Sequence, residues 1–170
     1  MGDQDNNNDI FWCDPPVRAI IPISKLHISR SLKRLCNKKT FKFSINYDFA
    51  ITIANCADRD KTWINESIIS TYKKLHDLGY AHSIEIWEDN KIKGGLYGVA
   101  IGKAFFAESM FSKSSNGSKI ALIVLMGILE LNNFQLLDVQ FMTNHLKTMG
   151  AKEISRNVFL SLLQRSTFQQ

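Results

Sequence analysis

With 170 residues, 45% of them hydrophobic, the chain has the size of one domain and can bury a core without disulfides or metal. Its longest apolar run, residues 120–129, is broken by Gly127 and is too short to cross a membrane. The net charge of +5 admits polyanionic partners, and the polar, acidic residues 1–9 lack the features of a signal peptide, so a cytoplasmic protein is expected.

Residues 1–10 read as disordered, and Cys13-Asp14-Pro15-Pro16 is excluded from a helix interior by its prolines. A strand is predicted over 17–23 and a short basic helix over 27–37, with Ser29 as its cap. Arg18, Lys25, Arg30, Lys33, Arg34, Lys38 and Lys39 fall in one stretch with no acid between them. Such a stretch is either a solvated basic face or a contact for nucleic acid. Alternation of Phe41, Phe43 and Ile45 with Lys42 and Ser44 predicts a strand over 40–47, followed by an apolar helix over 49–56.

Ile64, Ile68, Tyr72 and Leu75 recur at helical spacing and predict an amphipathic helix over 63–78, ended by Gly79. Three strands in hairpin order follow, over 82–88, 91–101 and 103–112, with turns at Asp89-Asn90 and near Gly102. Asn116-Gly117 breaks the chain. Residues 119–131 are apolar nearly all round, as in a helix buried against a sheet. A mostly apolar strand over 134–142 suits a sheet centre. A short helix over 144–149 closed by Gly150, a strand over 151–154 and a helix over 156–164 complete the chain. This order predicts a mixed sheet with helices on its faces, an α/β (α+β) fold with an antiparallel middle.

Cys13, Cys36 and Cys56 are odd in number and show no CxxC spacing. His27, His76, His82 and His145 form no HExxH pattern, so no metal site is expected. Gly94, Gly95 and Gly98 lie inside a strand. They fit neither a dinucleotide nor a P-loop fingerprint and mark a bulge or a close backbone approach. There is no GxSxG, and no Cys or Ser is visibly paired to a base, which disfavours a covalent nucleophile. Asp138 and Gln140 sit two apart on an otherwise apolar strand and point to one face. They are a polar pair bonded to a loop or a reaction centre. Glu108, Met110 and Ser112 share a face of their own strand. They suit an exposed edge, or a pocket that takes an apolar side chain and fixes an amine.

Trp63-Ile64, His82-Ser83-Ile84-Glu85, Gly94-Gly95-Leu96-Tyr97-Gly98-Val99-Ala100, Glu108-Ser109-Met110-Phe111-Ser112 and Asp138-Val139-Gln140 occur in this order. Together with Leu26-His27-Ile28-Ser29-Arg30-Ser31-Leu32-Lys33-Arg34 and the segment from Met149 to Ile154, they resemble the leucyl/phenylalanyl-tRNA–protein transferases. The resemblance runs from about Phe11 to about Leu163. It implies a GNAT-like acyltransferase fold that uses aminoacyl-tRNA, not acyl-CoA, as donor. The family moves Leu or Phe, sometimes Met, to proteins beginning with Arg or Lys and so marks them for N-degron proteolysis. It needs no cofactor or metal, and a monomer that avoids membranes is expected.

Carried over by position, the resemblance makes Asp138 and Gln140 the catalytic pair, with the Asp138 carboxylate bonded to the Gln140 amide. Trp63, Tyr72, Glu108, Met110 and Ser112 fall around the pocket for the donor's side chain and terminal adenosine. Arg30, Lys33 and Arg34 fall where the tRNA acceptor stem is met. Members of the family begin with a further segment ending in Gly-Ile-Phe-Pro, of which Ile10-Phe11-Trp12 is at most a trace. Residues 1–16 are therefore expected to be a residual N-terminal segment, with 17–170 the aminoacyltransferase domain. Thr143-Asn144 replaces an Asn-Asp pair of some members. The alternatives are an acyl-CoA-dependent GNAT enzyme, which the missing phosphate-cradling loop disfavours, and a non-catalytic tRNA-binding remnant.

Overall fold

The computed structural model describes residues 13–38, 40–60 and 62–168. The first half carries β1 (Val17–Ile20), α1 (Arg30–Asn37), β2 (Lys42–Ile45), α2 (Phe49–Ala57), α3 (Glu66–Asp77) and β3 (Ala81–Glu88). The second carries β4 (Lys91–Ile101), β5 (Ala104–Ser112), α4 (Gly117–Leu131), β6 (Leu136–Gln140), α5 (Asn144–Thr148), β7 (Lys152–Ser155) and α6 (Arg156–Phe168). The family trace expected at Ile10-Phe11-Trp12, and the disorder expected over 1–10, lie outside the described residues, as does Lys39.

The strands form one seven-stranded mixed sheet in the order β2-β3-β4-β5-β6-β1-β7. Every neighbouring pair is antiparallel except β5 and β6, which run parallel. A parallel pair needs a crossover, and α4 supplies it. The antiparallel middle β3-β4-β5 matches the hairpin order read from the sequence. Asp89 and Asn90, both at positive φ (52° and 57°), make the tight turn between β3 and β4.

Local chemistry sets where elements begin. Leu32 N–H donates to the Ser29 hydroxyl (3.3 Å), so α1 starts at Arg30, later than the pattern predicts. Ile68 N–H donates to the Asn65 side-chain oxygen (3.0 Å), which starts α3 at Glu66 and leaves Trp63 in the loop before it. β1 ends at Ile20, short of residue 23, because Pro22 has no N–H to give a sheet.

Leu122, Leu125 and Leu129 of α4 pack on Ile84, Leu96 and Leu137, and Leu32 and Leu146 join this core from α1 and α5. Phe49, Ile53 and Ile68 of α2 and α3 pack with Tyr97 and Phe111 in a second core. Phe159 seats α6 on Ile20 and Leu136. At Gly94 an added Cβ would lie 2.5 Å from the Gly117 carbonyl carbon, so β4 meets the start of α4 backbone to backbone. This is the close approach read from the strand glycines, and the bulge also read there falls between Tyr97 and Gly98. Among the described residues no helix is long and apolar enough to cross a membrane.

Candidate active site

The parallel pair β5–β6 is joined only over Ala104–Phe106 and Leu136–Asp138. Beyond those rungs β5 continues to Ser112 and β6 to Gln140 without pairing to each other. A cleft of about 460 Å³ opens at this split, at the carboxyl ends of two parallel strands. Glu108 has no partner on β4, because Gly98 pairs with Ala107 and Tyr97 with Ser109. A bulge of this kind re-aims the side chain it carries. β5 is thus an interior strand, which removes the exposed-edge explanation for Glu108.

Asp138 is fully buried, and the Arg18 guanidinium donates to its Oδ2 in an ion pair. Its Oδ1 accepts the backbone N–H of Gln140 (2.9 Å). The Gln140 side-chain amide instead donates from Nε2 to Glu108 Oε2 (2.6 Å). The expected bond from the Asp138 carboxylate to the Gln140 side-chain amide is therefore not the one formed. The reason is backbone conformation: Gln140 has φ +64°, and Phe141 N–H donates to Val139 O (2.9 Å) around it. That is a γ-turn of the rare left-handed kind. It ends β6 at Gln140, before residue 142, and frees the side chain to span the split.

Trp63, Glu108, Met110 and Ser112 line the cleft with Gln140. Tyr72 does not line it; it stands behind Glu108, against the edge of the Tyr97 ring. Asp138 also lies behind the lining, held by Arg18. Residues not singled out from the sequence complete the walls. Ala107, Val139 and Phe141 add apolar surface, and Ser118, His145 and the exposed Arg59 add polar groups. Arg59 Nη2 donates to Ser109 Oγ and to Met110 O, both at 2.8 Å.

Burial raises the Glu108 carboxyl above its ordinary 4.5, while bonds from the Gln140 amide and the Tyr72 hydroxyl pull it back. Burial also raises Asp138, and Arg18 and the Gln140 N–H oppose that shift. Burial and the nearby Lys119 lower His145, which favours its neutral form. Burial pushes the Cys56 thiol up to about 12, so this cysteine beside Ser109 is no thiolate at neutral pH. The site offers an oriented amide, a buried carboxyl and apolar walls, suited to aligning an amine against an acyl group.

The family model described as leucyl/phenylalanyl-tRNA protein transferase matches residues 20–164. The chain belongs to this transferase family. A relative in Dinoroseobacter shibae, named leucyl/phenylalanyl-tRNA–protein transferase, is 47% identical over 96% of this chain and 74% of its own length. Relatives of the same name occur in Zymomonas mobilis (47% identical, 96% of this chain, 63% of that protein) and Ruegeria pomeroyi (45%, 98% and 79%). The fold is that of the GNAT-like acyltransferases. An aminoglycoside acetyltransferase from an uncultured soil metagenomic sample superposes with TM-score 0.51 at 12% identity, covering 78% of this chain and 93% of its own. L-PGS from Bacillus licheniformis superposes with TM-score 0.54 at 11% identity, covering 91% and 66%.

In this family member Arg30, Lys33 and Arg34 lie on the exposed side of α1, while Leu32 turns into the core. They form a basic face apart from the residues that line the cleft. Arg18 does not belong to it. The sequence groups Arg18 with that basic stretch, yet its side chain is only 18% exposed and is spent on Asp138. One signal was available: an arginine beside Ala19-Ile20-Ile21 in a buried strand requires an acidic partner.

Proposed function

We propose that this chain transfers Leu or Phe, and also Met, from aminoacyl-tRNA to the N-terminal Arg or Lys of acceptor proteins. The product is a peptide bond that marks the acceptor for N-degron proteolysis. The reading is carried by one observation: the Gln140 amide is held by Glu108 across the β5–β6 split, beside an apolar cleft. With Nε2 given to Glu108, the amide oxygen of Gln140 remains to accept a hydrogen bond from an incoming amine.

The acceptor's α-amine nitrogen bonds to the ester carbonyl carbon, and the bond from that carbon to the tRNA 3′-oxygen breaks. The proton lost by the amine passes to that oxygen through water or the tRNA itself. A neutral amide is a weak base, so Gln140 acts by positioning the amine, and Asp138 by positioning Gln140. Trp63, Met110 and Ser112 receive the donor's side chain and terminal adenosine, with Tyr72 supporting Glu108 from behind. An apolar slot sorts side chains only coarsely by size, which suits Leu, Phe and Met together. Arg30, Lys33 and Arg34 meet acceptor-stem phosphates. The two substrates contain every reacting atom, so no cofactor enters, and we place the protein in the cytoplasm with its tRNA donor, as a monomer.

The test is a matrix of donors and acceptors. Leu-, Phe-, Met- and Val-tRNA are offered to peptides starting with Arg, Lys or Ala, with acetyl-CoA as a further donor. Label is expected from the first three donors in the Arg and Lys peptides. Acetyl transfer, or tRNA binding without any transfer, would replace this reading with one of its alternatives.

A further inference from the structure

Asp138 is the end of a chain of contacts that starts outside the cleft. Arg18, on β1, reaches across to β6 and donates to Asp138 Oδ2. Its guanidinium lies over the Phe159 ring, 5.0 Å from its centre, so α6 packs against it as well. Its Nε is buried and has no hydrogen-bond partner among the described residues. A guanidinium held in this way has little freedom to leave the carboxylate. The other oxygen of that carboxylate holds the Gln140 N–H (2.9 Å) inside the γ-turn. A non-glycine residue at φ +64° persists only where its surroundings fix it.

We propose that Arg18 is a positioning residue of the transfer centre, locking the Gln140 turn through Asp138 so that the side-chain amide spans to Glu108. The inference rests on the proposed transfer reaction. Arg18 touches neither substrate. It fixes the carboxylate, the carboxylate fixes the turn, and the turn aims the amide. An arginine suits this task better than a lysine, because its planar fork holds one orientation while a lysine offers a point charge.

The test measures single-turnover transfer of Phe from Phe-tRNA to an Arg-starting peptide, together with donor affinity and melting temperature. Arg18→Ala is expected to slow transfer about 100-fold, with donor affinity changed by less than about threefold, since only alignment is lost. Added methylguanidinium should restore much of the rate in Arg18→Ala and none in Gln140→Ala. Arg18→Lys, which keeps the charge, should fold and yet remain well below wild type. Should Arg18→Ala fail to fold, the Arg18→Lys rate decides. A wild-type rate in Arg18→Lys, or a loss in Arg18→Ala confined to donor affinity, overturns the positioning role and leaves the transfer reaction standing. A wild-type protein that transfers nothing overturns the reaction and this inference with it.

Discussion

Gln140 is where backbone strain and chemistry coincide. Its left-handed φ of +64° brings the side chain to Glu108 and opposes the ordinary preference of a side-chain-bearing residue. The penalty for so sparsely populated a conformation is about 1 to 3 kcal/mol, and glycine escapes most of it. Gln140→Gly should therefore unfold at higher urea than Gln140→Ala, the extrapolated stabilities differing by about 1 kcal/mol or more. Both should lose transfer alike, because both lack the amide. Glu108 makes a second prediction. Burial raises it from 4.5, so the folded state binds the proton more tightly than the unfolded chain does. Below about 4.5 both states hold the proton and its burial costs little. As pH rises through the raised value, the wild type loses stability that Glu108→Gln does not. Melting curves of the two proteins should diverge upward from acid pH in favour of the variant, and parallel curves would show that Glu108 is not strained by burial.

The elements show which features of the site short-range patterns encode. Helical spacing locates α3 and period-two alternation locates β2, because each must present one face to a core, while near-continuous apolarity locates α4 and turn residues locate the hairpin strands. The basic face of α1 is legible for the same reason: Leu32 faces inward and Arg30, Lys33 and Arg34 outward. What spacing does not encode is contact between distant strands. Arg18 and Asp138 are 120 residues apart, and the side chain that completes the pair is invisible from either segment alone. The bulge at Glu108 and the turn at Gln140 each interrupt a period that sequence patterns assume continues, so the site is recognisable by its residues while its hydrogen bonds are not. If α1 meets the acceptor stem, replacing Arg30, Lys33 and Arg34 together by Gln should lower the slope of log affinity for tRNA against log salt by about 2 to 3. The exposed face predicts a change in melting stability of no more than about 0.5 kcal/mol for each substitution. An unchanged slope would remove α1 from the tRNA path.

At the scale of the whole molecule, the sheet is continuous except where β5 and β6 part, and the polar groups of the candidate centre gather at that parting. Helices α2 and α3 pack on the sheet around Tyr97 and Phe111, while α4 and α5 join the other core through Leu122 and Leu146. The proposed transfer needs an apolar slot and a basic surface, and this fold carries the first at the split and the second on α1. Aminoacyl transfer at this cleft would leave its mark on the acceptor itself. Mass spectrometry of an Arg-starting peptide, incubated with Phe-tRNA and the protein, measures it most directly. A peptide heavier by one phenylalanine residue at its N-terminus is expected with the wild type, and much less of it with Gln140→Ala; an unmodified peptide, or full modification by Gln140→Ala, would rule out transfer at this cleft.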